Sequence, residues 1–448
     1  MLRTTIAALA GKAARRAARI RGGGSGGSAL PGLVAEKVDP GFLAHALADV
    51  PGGIVVVSGT NGKTTTTKML VAVLRAHGRT VFTNPTGSNF TRGVISALLA
   101  EMPLRGGLKA DIAVLELDEA HALHFARAVA PTHSLLLNVA RDQLDRFAEI
   151  DHTARLLTQL ASMTTEGVVL NRDDPYVNRI ATTLRPGVDV TWFGLGASVA
   201  DRVGELSEHD AREQDDFTVP VAGDRDALLD PVDEQQLQIV FGSDGEGGRV
   251  GPLSLRQRGL AAMINATAAT STAKHLLGPA FRPEAAEQAL RTVAPPFGRG
   301  EVIDADGTPL ELVLVKNPAG FTVALGTYGS TPTATMIAIK DDYADGRDVS
   351  WLYDVSFESL RDKGVALTTG VRGWDMALRL QYDDVPVGAT EVDLAAALDT
   401  FLADHRGEPK RIFTSYTAML ALRRMLGERY DLPEMGVDAP DTSGDEEA

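Results

Sequence analysis

Short apolar runs alternate along this chain with longer stretches in which apolar residues recur every three or four positions. Ile54–Val57 is rich in β-branched residues and bounded by glycines, so it predicts a buried strand. Thr65–His77 has the helical spacing, and Gly78 predicts where that helix ends. This alternation predicts an α/β fold with a parallel sheet. Further strands are predicted at Arg79–Thr83, Asp111–Leu117, Ser134–Val139, Glu311–Val315, Thr335–Ile339, Val365–Thr369 and Arg411–Thr414.

Glycine, proline and charge clusters divide the chain into parts. The segment PPFGRG at Pro295–Gly300 predicts a hinge between two α/β units. Residues near 200–250 are acidic and irregular, and we interpret them as an insertion outside the sheet. The four predicted parts are an exposed basic helix with a glycine-rich linker (1–50), a first α/β unit (51–296), a second α/β unit (297–437) and a disordered acidic tail (438–448).

Composition narrows the classes of function. The 44 basic and 59 acidic residues give a net charge of −15, which disfavours a role in binding nucleic acid. The chain has no cysteine, so it can hold neither a cysteine-ligated zinc nor a thiol nucleophile, and we expect no zinc. No run approaches the ~20 apolar residues that span a bilayer. We therefore expect a cytoplasmic protein with at most peripheral contact with the inner face of the plasma membrane.

The strongest local signal is SGTNGKTT at Ser58–Thr65, directly after a predicted strand and before a predicted helix. Glycines in this loop allow backbone N–H groups to surround phosphate oxygens at a helix N-terminus. Lys63 can reach the outer phosphates, and the Thr64 hydroxyl can bind Mg²⁺. The alternative is a glycine-rich turn with an incidental lysine. The predicted nucleotide contacts are Gly59, Thr60, Asn61, Gly62, Lys63, Thr64 and Thr65.

A phosphate loop needs oxygen ligands from the ends of neighbouring strands to complete a metal shell. Glu116 ends one predicted strand, and Asn138 and Asp142 follow the next. We predict that Glu116 binds Mg²⁺ with Thr64 and is catalytic together with the loop lysine, and that Asn138 and Asp142 contact the substrate. Asn84 also suits substrate contact, although a plain turn explains it equally well. Solvated loop side chains are the alternative for the acids.

These motifs together resemble the Mur ligase family, the ATP-dependent enzymes that build the peptide stem of peptidoglycan. The resemblance implies a P-loop ATPase central domain with a parallel sheet and flanking helices, followed by a smaller C-terminal α/β domain. It also implies ATP contacts for Asn265 in GLAAMINATAA, Arg299 in FGRGE and Asp342 in the turn DYA. Gln143 and Ala262 stand where many members carry His and Asn, which disfavours a stand-alone stem ligase.

Three segments of the second half are similar to the MurT group of this family: LVKNPAGF at 314–321, DDYADGRDVSWLYDVSFE at 341–358 and FTSYTAMLALR at 413–423. This resemblance implies a synthase subunit that uses ATP to activate the α-carboxylate of D-glutamate in the lipid II stem as an acyl phosphate. A GatD-type glutaminase partner would release the ammonia that converts this group to D-isoglutamine.

The same resemblance implies roles at the partner interface. A cysteine–histidine pair works best when a carboxylate orients the imidazole, and Asp348 is expected to supply it, with Asp354 as second choice. Trp351 would anchor the partner. The alternative is that Asp348 only caps a turn and that Trp351 fills the core of the second unit. Lys316 is expected to face ATP or the activated substrate. Two alternatives stay open: a stand-alone amino-acid ligase of the Mur or folylpolyglutamate type, and a nucleotide-gated binding scaffold.

Overall fold

A computed structural model of the protein describes residues 2–20, 29–84, 91–103, 107–140, 150–199, 218–233, 235–243, 245–296, 298–328 and 333–432. The chain divides into two units, Met1–Ala294 and Pro295–Ala448, and each contains one sheet. Among the described residues, no helix is both long enough and apolar enough to cross a membrane.

The first unit is a sheet covered by helices on both faces. Its described strands are β1 (Ile54–Ser58), β2 (Val81–Thr83), β3 (Ile112–Glu116), β4 (His133–Leu136), β5 (Gly167–Asn171), β6 (Asp189–Leu195), β7 (Ala227–Pro231), β8 (Gln236–Phe241) and β9 (Arg249–Ser254). Its described helices are α1 (Leu2–Ile20), α2 (Ala29–Val38), α3 (Phe42–Leu47), α4 (Lys63–Ala76), α5 (Thr91–Glu101), α6 (Glu119–Ala128), α7 (Ile150–Met163), α8 (Pro175–Arg179), α9 (Leu260–Leu277) and α10 (Pro283–Thr292). Short 3₁₀ helices lie at Ile180–Thr183 and Gly278–Ala280.

The strands of the first unit lie in the order β2-β3-β1-β4-β5-β6-β7-β8-β9, and they are parallel from β2 to β7. Strand β1 is buried on both faces, because Val55 and Val57 pack into one apolar cluster while Ile54 and Val56 pack into another. Both faces of this sheet are therefore covered, as the continuous apolar runs of the sequence predict.

Two expectations for the first unit are wrong. The region interpreted as an insertion outside the sheet supplies β7, β8 and β9, which continue the sheet with antiparallel pairing of β8 and β9. Residues 201–217 of that region lie outside the described residues. The basic helix α1 is not simply exposed, because Ala7 and Ala8 are buried in the core and Lys12 Nζ donates to Met102 O. Residues 29–50 contain α2 and α3, and the glycine-rich linker predicted at Gly22–Ser28 lies outside the described residues.

The second unit is a smaller α/β sheet in the order β10-β11-β15-β12-β13-β14. Strand β10 is antiparallel to β11, and the other described pairs are parallel. The strands are β10 (Arg299–Ala305), β11 (Thr308–Leu314), β12 (Ala334–Ala338), β13 (Val365–Thr369), β14 (Val387–Glu391) and β15 (Lys410–Thr414). The helices are α11 (Pro318–Tyr328), α12 (Gly373–Tyr382), α13 (Leu394–Asp404) and α14 (Tyr416–Gly427), with 3₁₀ helices at Ser350–Asp354 and Glu358–Leu360.

The α/β fold class predicted from the sequence is confirmed. Every strand that we predicted appears in the structure, with its ends within three residues of the predicted ones.

Candidate active site

The strand order of the first unit creates a crevice for a ligand. Strand β1 lies between β3 and β4, and all three run in the same direction. Val57 is level with Glu116 of β3, and Ser58 is level with Leu136 of β4. The loop that follows β1 therefore lies between the carboxyl ends of its two neighbours, which is where parallel α/β sheets bind ligands.

Two glycines shape the loop between β1 and α4. Gly59 and Gly62 have φ angles of 132° and 88°, which favour glycine. A Cβ at Gly59 would lie 3.0 Å from Asn138 N, and one at Gly62 would lie 2.3 Å from Asn265 Oδ1. Because α4 begins at Lys63, the loop presents a helix N-terminus to its ligand.

Lys63 is buried at the mouth of this loop. Its Nζ donates to Gly59 O at 2.5 Å and to Thr60 O at 3.2 Å. The carboxylate of Glu119, at the first turn of α6, lies 3.8 Å from the same Nζ. The Lys63 ammonium group is thus held where it would contact an anion bound by the loop.

Thr64 and Glu116 are brought together as the sequence analysis predicts. The Thr64 hydroxyl donates to Glu116 Oε1 at 2.7 Å, although 52 residues separate them. Asn84 fixes this strand end: its Nδ2 donates to Glu116 O, and Glu116 N donates to Asn84 Oδ1, both at 2.9 Å. The amide of Asn84 thus holds the backbone of Glu116, and its contact with the substrate stays a prediction.

Asn138 holds the loop itself. Its Oδ1 accepts from Asn61 N at 2.8 Å, and its Nδ2 donates to Asn61 O at 3.1 Å. Thr60 N donates to Asn138 O at 3.0 Å. The substrate role predicted for Asn138 is untested, and its position is that of a group that orders the phosphate loop. Asp142, the other predicted substrate contact on this segment, lies outside the described residues.

Asp174 binds the backbone of the segment that contains Asn138. The sequence analysis did not predict this residue. Its Oδ2 accepts from Val139 N at 2.8 Å, and its Oδ1 accepts from Tyr176 N and Val177 N in the first turn of α8. Burial raises the pKa of Asp174 to about 6, against the lowering effect of these three donors. The signal that could have revealed it is an aspartate directly before Pro175, because this pair is typical of a helix start.

Asn265 reaches the loop from α9, which packs against α4. The Thr66 hydroxyl donates to Asn265 Oδ1 at 3.1 Å. Since that oxygen also limits the space beside Gly62, the structure places Asn265 next to the loop. The resemblance alone suggested this residue, because nearly two hundred positions separate it from Thr66.

The oxygen ligands fit a magnesium ion that arrives with a nucleotide. Within the described residues, no group of three or more His, Cys, Asp or Glu is placed to hold a metal ion. Magnesium is commonly bound through only one or two carboxylates and substrate phosphates, while it keeps several waters. The Thr64 hydroxyl and the Glu116 carboxylate supply oxygen ligands of the required kind.

Two further predicted ATP contacts belong to the second unit. Arg299 begins β10, and Glu301, two positions further along the strand, lies 3.0 Å from Arg423 Nη2. Asp342 lies in the turn after β12, where Lys340 Nζ is 2.6 Å away and the Thr417 hydroxyl donates to it at 3.0 Å. These bonds lower the pKa of Asp342, so the carboxylate stays charged at neutral pH.

The segment predicted to face a partner is exposed at its carboxylates and buried at its tryptophan. Ser350 N donates to Asp348 Oδ1 at 2.8 Å, and hydrogen bonds from Ser350 lower the pKa of Asp348. Asp354 is also exposed. Trp351 packs in the core, with its ring centroid 6.3 Å from that of Phe321. Of the two roles considered for Trp351, filling the core is therefore the correct one.

Lys316 follows β11 and is half-buried. The next residue, Asn317, caps the turn into α11, because its Oδ1 accepts from Gly320 N at 2.7 Å. The predicted contact of Lys316 with ATP or an activated substrate stays a prediction.

Comparison with known proteins gives two family matches and relatives that extend along nearly the whole chain. Residues 57–225 match the Mur ligase middle domain, and residues 314–419 match the MurT ligase C-terminal domain. The chain is 29% identical over 458 residues to the MurT subunit of lipid II isoglutaminyl synthase (glutamine-hydrolyzing) of Streptococcus pneumoniae (strain ATCC BAA-255 / R6), covering 96% of this chain and 98% of that protein. It is 26% identical over 457 residues to the Staphylococcus aureus (strain COL) subunit of the same name, covering 94% and 97%.

Solved structures share the fold. MurF from Acinetobacter baumannii aligns with a TM-score of 0.65 at 16% identity, covering 89% of this chain and 80% of that one. E. coli FolC in complex with DHPP and ADP aligns with a TM-score of 0.59 at 14% identity, covering 87% and 92%. The fold is thus Mur ligase-like.

Proposed function

We propose that this chain is the synthase subunit of a lipid II amidotransferase. The proposal is supported by its matches to the Mur ligase middle domain and the MurT ligase C-terminal domain, and by its similarity to MurT subunits along nearly its whole length. The chain uses ATP to amidate the α-carboxylate of D-glutamate in the stem peptide, giving D-isoglutamine for peptidoglycan synthesis.

The first step is phosphoryl transfer at the loop of the first unit. A carboxylate oxygen of the substrate attacks the γ-phosphorus of ATP, and the bond to the leaving ADP oxygen breaks, giving an acyl phosphate. Lys63 and the N–H groups at the start of α4 stabilise the negative charge on the transferred group. Thr64 and Glu116 would hold Mg²⁺, which neutralises charge on the phosphates.

Amide formation follows. Ammonia attacks the carbonyl carbon of the acyl phosphate. The bond from this carbon to the bridging oxygen then breaks, and inorganic phosphate departs with that oxygen. The nitrogen loses a proton, which gives the neutral amide. A GatD-type glutaminase partner supplies this ammonia, since its class uses a cysteine nucleophile and this chain has no cysteine. We assign Asp348 as the carboxylate that orients the partner's histidine, because it is exposed and its lowered pKa keeps it charged.

The observation that carries the proposal is a complete phosphate loop, with Lys63 buried and Thr64 bound to Glu116, in the same chain as a MurT ligase C-terminal domain. The Mur ligase-like fold alone would fit several ligases, so the C-terminal domain selects among them.

The test is mass spectrometry of lipid II after incubation with the chain, the glutaminase partner, ATP and glutamine. We expect a mass change equal to the replacement of one hydroxyl by an amino group, dependent on ATP. Addition of a whole amino-acid residue would show a stand-alone ligase instead. ATP turnover that does not rise with lipid II would favour a nucleotide-gated scaffold.

A further inference from the structure

Helix α12 has one buried face and one exposed apolar face. Met376 and Leu380 are buried within the unit. Trp374, Leu378 and Tyr382 recur every fourth position and are 65%, 49% and 70% exposed. Because residues four apart are neighbours on a helix, these three side chains form one stripe that points away from the core.

Two residues outside the helix extend this apolar surface. Val371, directly before α12, is 54% exposed, and Tyr353 is 51% exposed. The Tyr353 ring meets that of Tyr382 edge to face, with centroids 5.9 Å apart. We call Val371, Tyr353, Trp374, Leu378 and Tyr382 the α12 stripe. Its exposed area is on the order of 500 Å², as large as the largest apolar patch of a typical monomer, and such patches are often functional.

Two arginines beside the stripe already have partners within the unit. Arg372 Nη2 lies 2.7 Å from Asp341, and Arg379 Nη1 lies 2.9 Å from Asp383. The Arg379 guanidinium is also 5.8 Å from the Tyr353 ring centroid. Since both of these arginines are already paired, the stripe is suited to a partner that presents apolar side chains rather than opposite charge.

The stripe is joined to the segment that carries Asp348. Tyr353 belongs to the 3₁₀ helix Ser350–Asp354, which Asp348 precedes by two residues. Arg379 of α12 fixes that helix, because its Nε donates to Leu352 O at 3.1 Å. Tyr353 lies five positions after Asp348 along the chain, so their Cα atoms are at most ~18 Å apart. A standard interface covers about 800 Å² on each partner and is roughly 30 Å across. A protein that contacts Asp348 therefore also contacts the stripe.

We propose that the α12 stripe is the apolar docking surface for the glutaminase subunit, with Trp374 and Tyr382 as its anchors. This inference rests on the proposed function, which places the partner's histidine at Asp348. Large aromatic side chains dominate the energetics of such surfaces. The stripe takes the role that the sequence analysis considered for Trp351, which the fold buries.

The experiment compares Trp374→Ala and Leu378→Glu with a control, Val302→Glu. Val302 is 63% exposed on β10, at the opposite edge of the same sheet from β14, beside which α12 packs. Dissociation constants for the purified glutaminase subunit are measured by calorimetry, and amide formation is measured with glutamine and with ammonium chloride as nitrogen sources.

We expect each stripe variant to bind the glutaminase about 30-fold more weakly, as for an interface hot spot, and the control to bind like the unmodified chain. Glutamine-driven amidation by the variants should fall when the glutaminase is limiting and recover when it is in excess, while ammonium-driven amidation persists.

If Trp374→Ala binds the glutaminase with the same dissociation constant as the unmodified chain, the assignment is wrong. It is also wrong if sedimentation shows that the unmodified chain is a dimer which Trp374→Ala dissociates, because a second copy would then cover the stripe. A wild-type complex that forms but makes no amide would instead refute the proposed function.

Discussion

Removing the side chain of Asn138 tests whether this residue orders the phosphate loop or contacts the substrate. In Asn138→Ala, Asn61 N loses its acceptor at 2.8 Å, and Asn61 O loses its donor at 3.1 Å. A net contribution of about 0.5–1.5 kcal/mol for each hydrogen bond gives about 1–3 kcal/mol of lost loop order. The nucleotide must restore this order on binding.

The expected result is a dissociation constant for ADP or a non-hydrolysable ATP analogue that rises roughly 5- to 150-fold, measured by titration calorimetry. The matched control is Asn178→Ala, which removes a half-buried amide that donates to Arg172 O at 2.9 Å in the same unit. This variant should lose stability without a change in nucleotide affinity. If Asn138→Ala binds nucleotide normally and only the KM for lipid II rises, the loop-ordering role is refuted and substrate contact is favoured.

Three further variants test the remaining roles. Lys63→Ala should abolish amidation and leave the complex with the glutaminase intact in gel filtration, because it removes the cation at the loop; retained product would contradict the role of Lys63. Asp348→Asn should suppress glutamine-driven amidation and spare ammonium-driven amidation, and equal loss of both would place Asp348 elsewhere. Burial raises the pKa of Asp174 to about 6, so between about pH 4 and 6 the folded state holds a proton that the unfolded chain releases. The free energy of unfolding should therefore fall by about 3 kcal/mol as pH rises through this window. In denaturant titrations, Asp174→Asn should make the unfolding free energy less dependent on pH. If the variant shows the same pH dependence as the unmodified chain, Asp174 does not titrate in this window.

The features of the site that the sequence could predict are mainly those whose residues lie close together along the chain. The loop SGTNGKTT could be recognised because its glycines, lysine and threonine lie within eight consecutive residues between a strand and a helix. The pairing of Thr64 with Glu116 was also predictable, since parallel strands bring their carboxyl ends to one edge of the sheet.

The errors arose where a side chain's environment depends on distant residues. Trp351 lies in a polar-looking segment, but Phe321 and its neighbours form a core that encloses it. The acidic region after β6 supplies strands because β7 pairs with β6. The pattern of residues within one short strand does not reveal which other strand it pairs with. Asp174 contacts Val139 across 35 residues, so no local motif links them.

The sequence by itself determined the phosphate loop, the α/β class and the two-unit organisation, because these follow from short-range spacing and periodicity. Only the tertiary structure decided that the Asn138 amide is bound to Asn61, that Asn265 reaches Thr66, and which apolar face of α12 is buried. Trp374 and Met376 are both apolar positions on a helical pattern, and hydrophobicity alone does not distinguish them. The sheet against which the helix packs covers one face, and the other is left exposed.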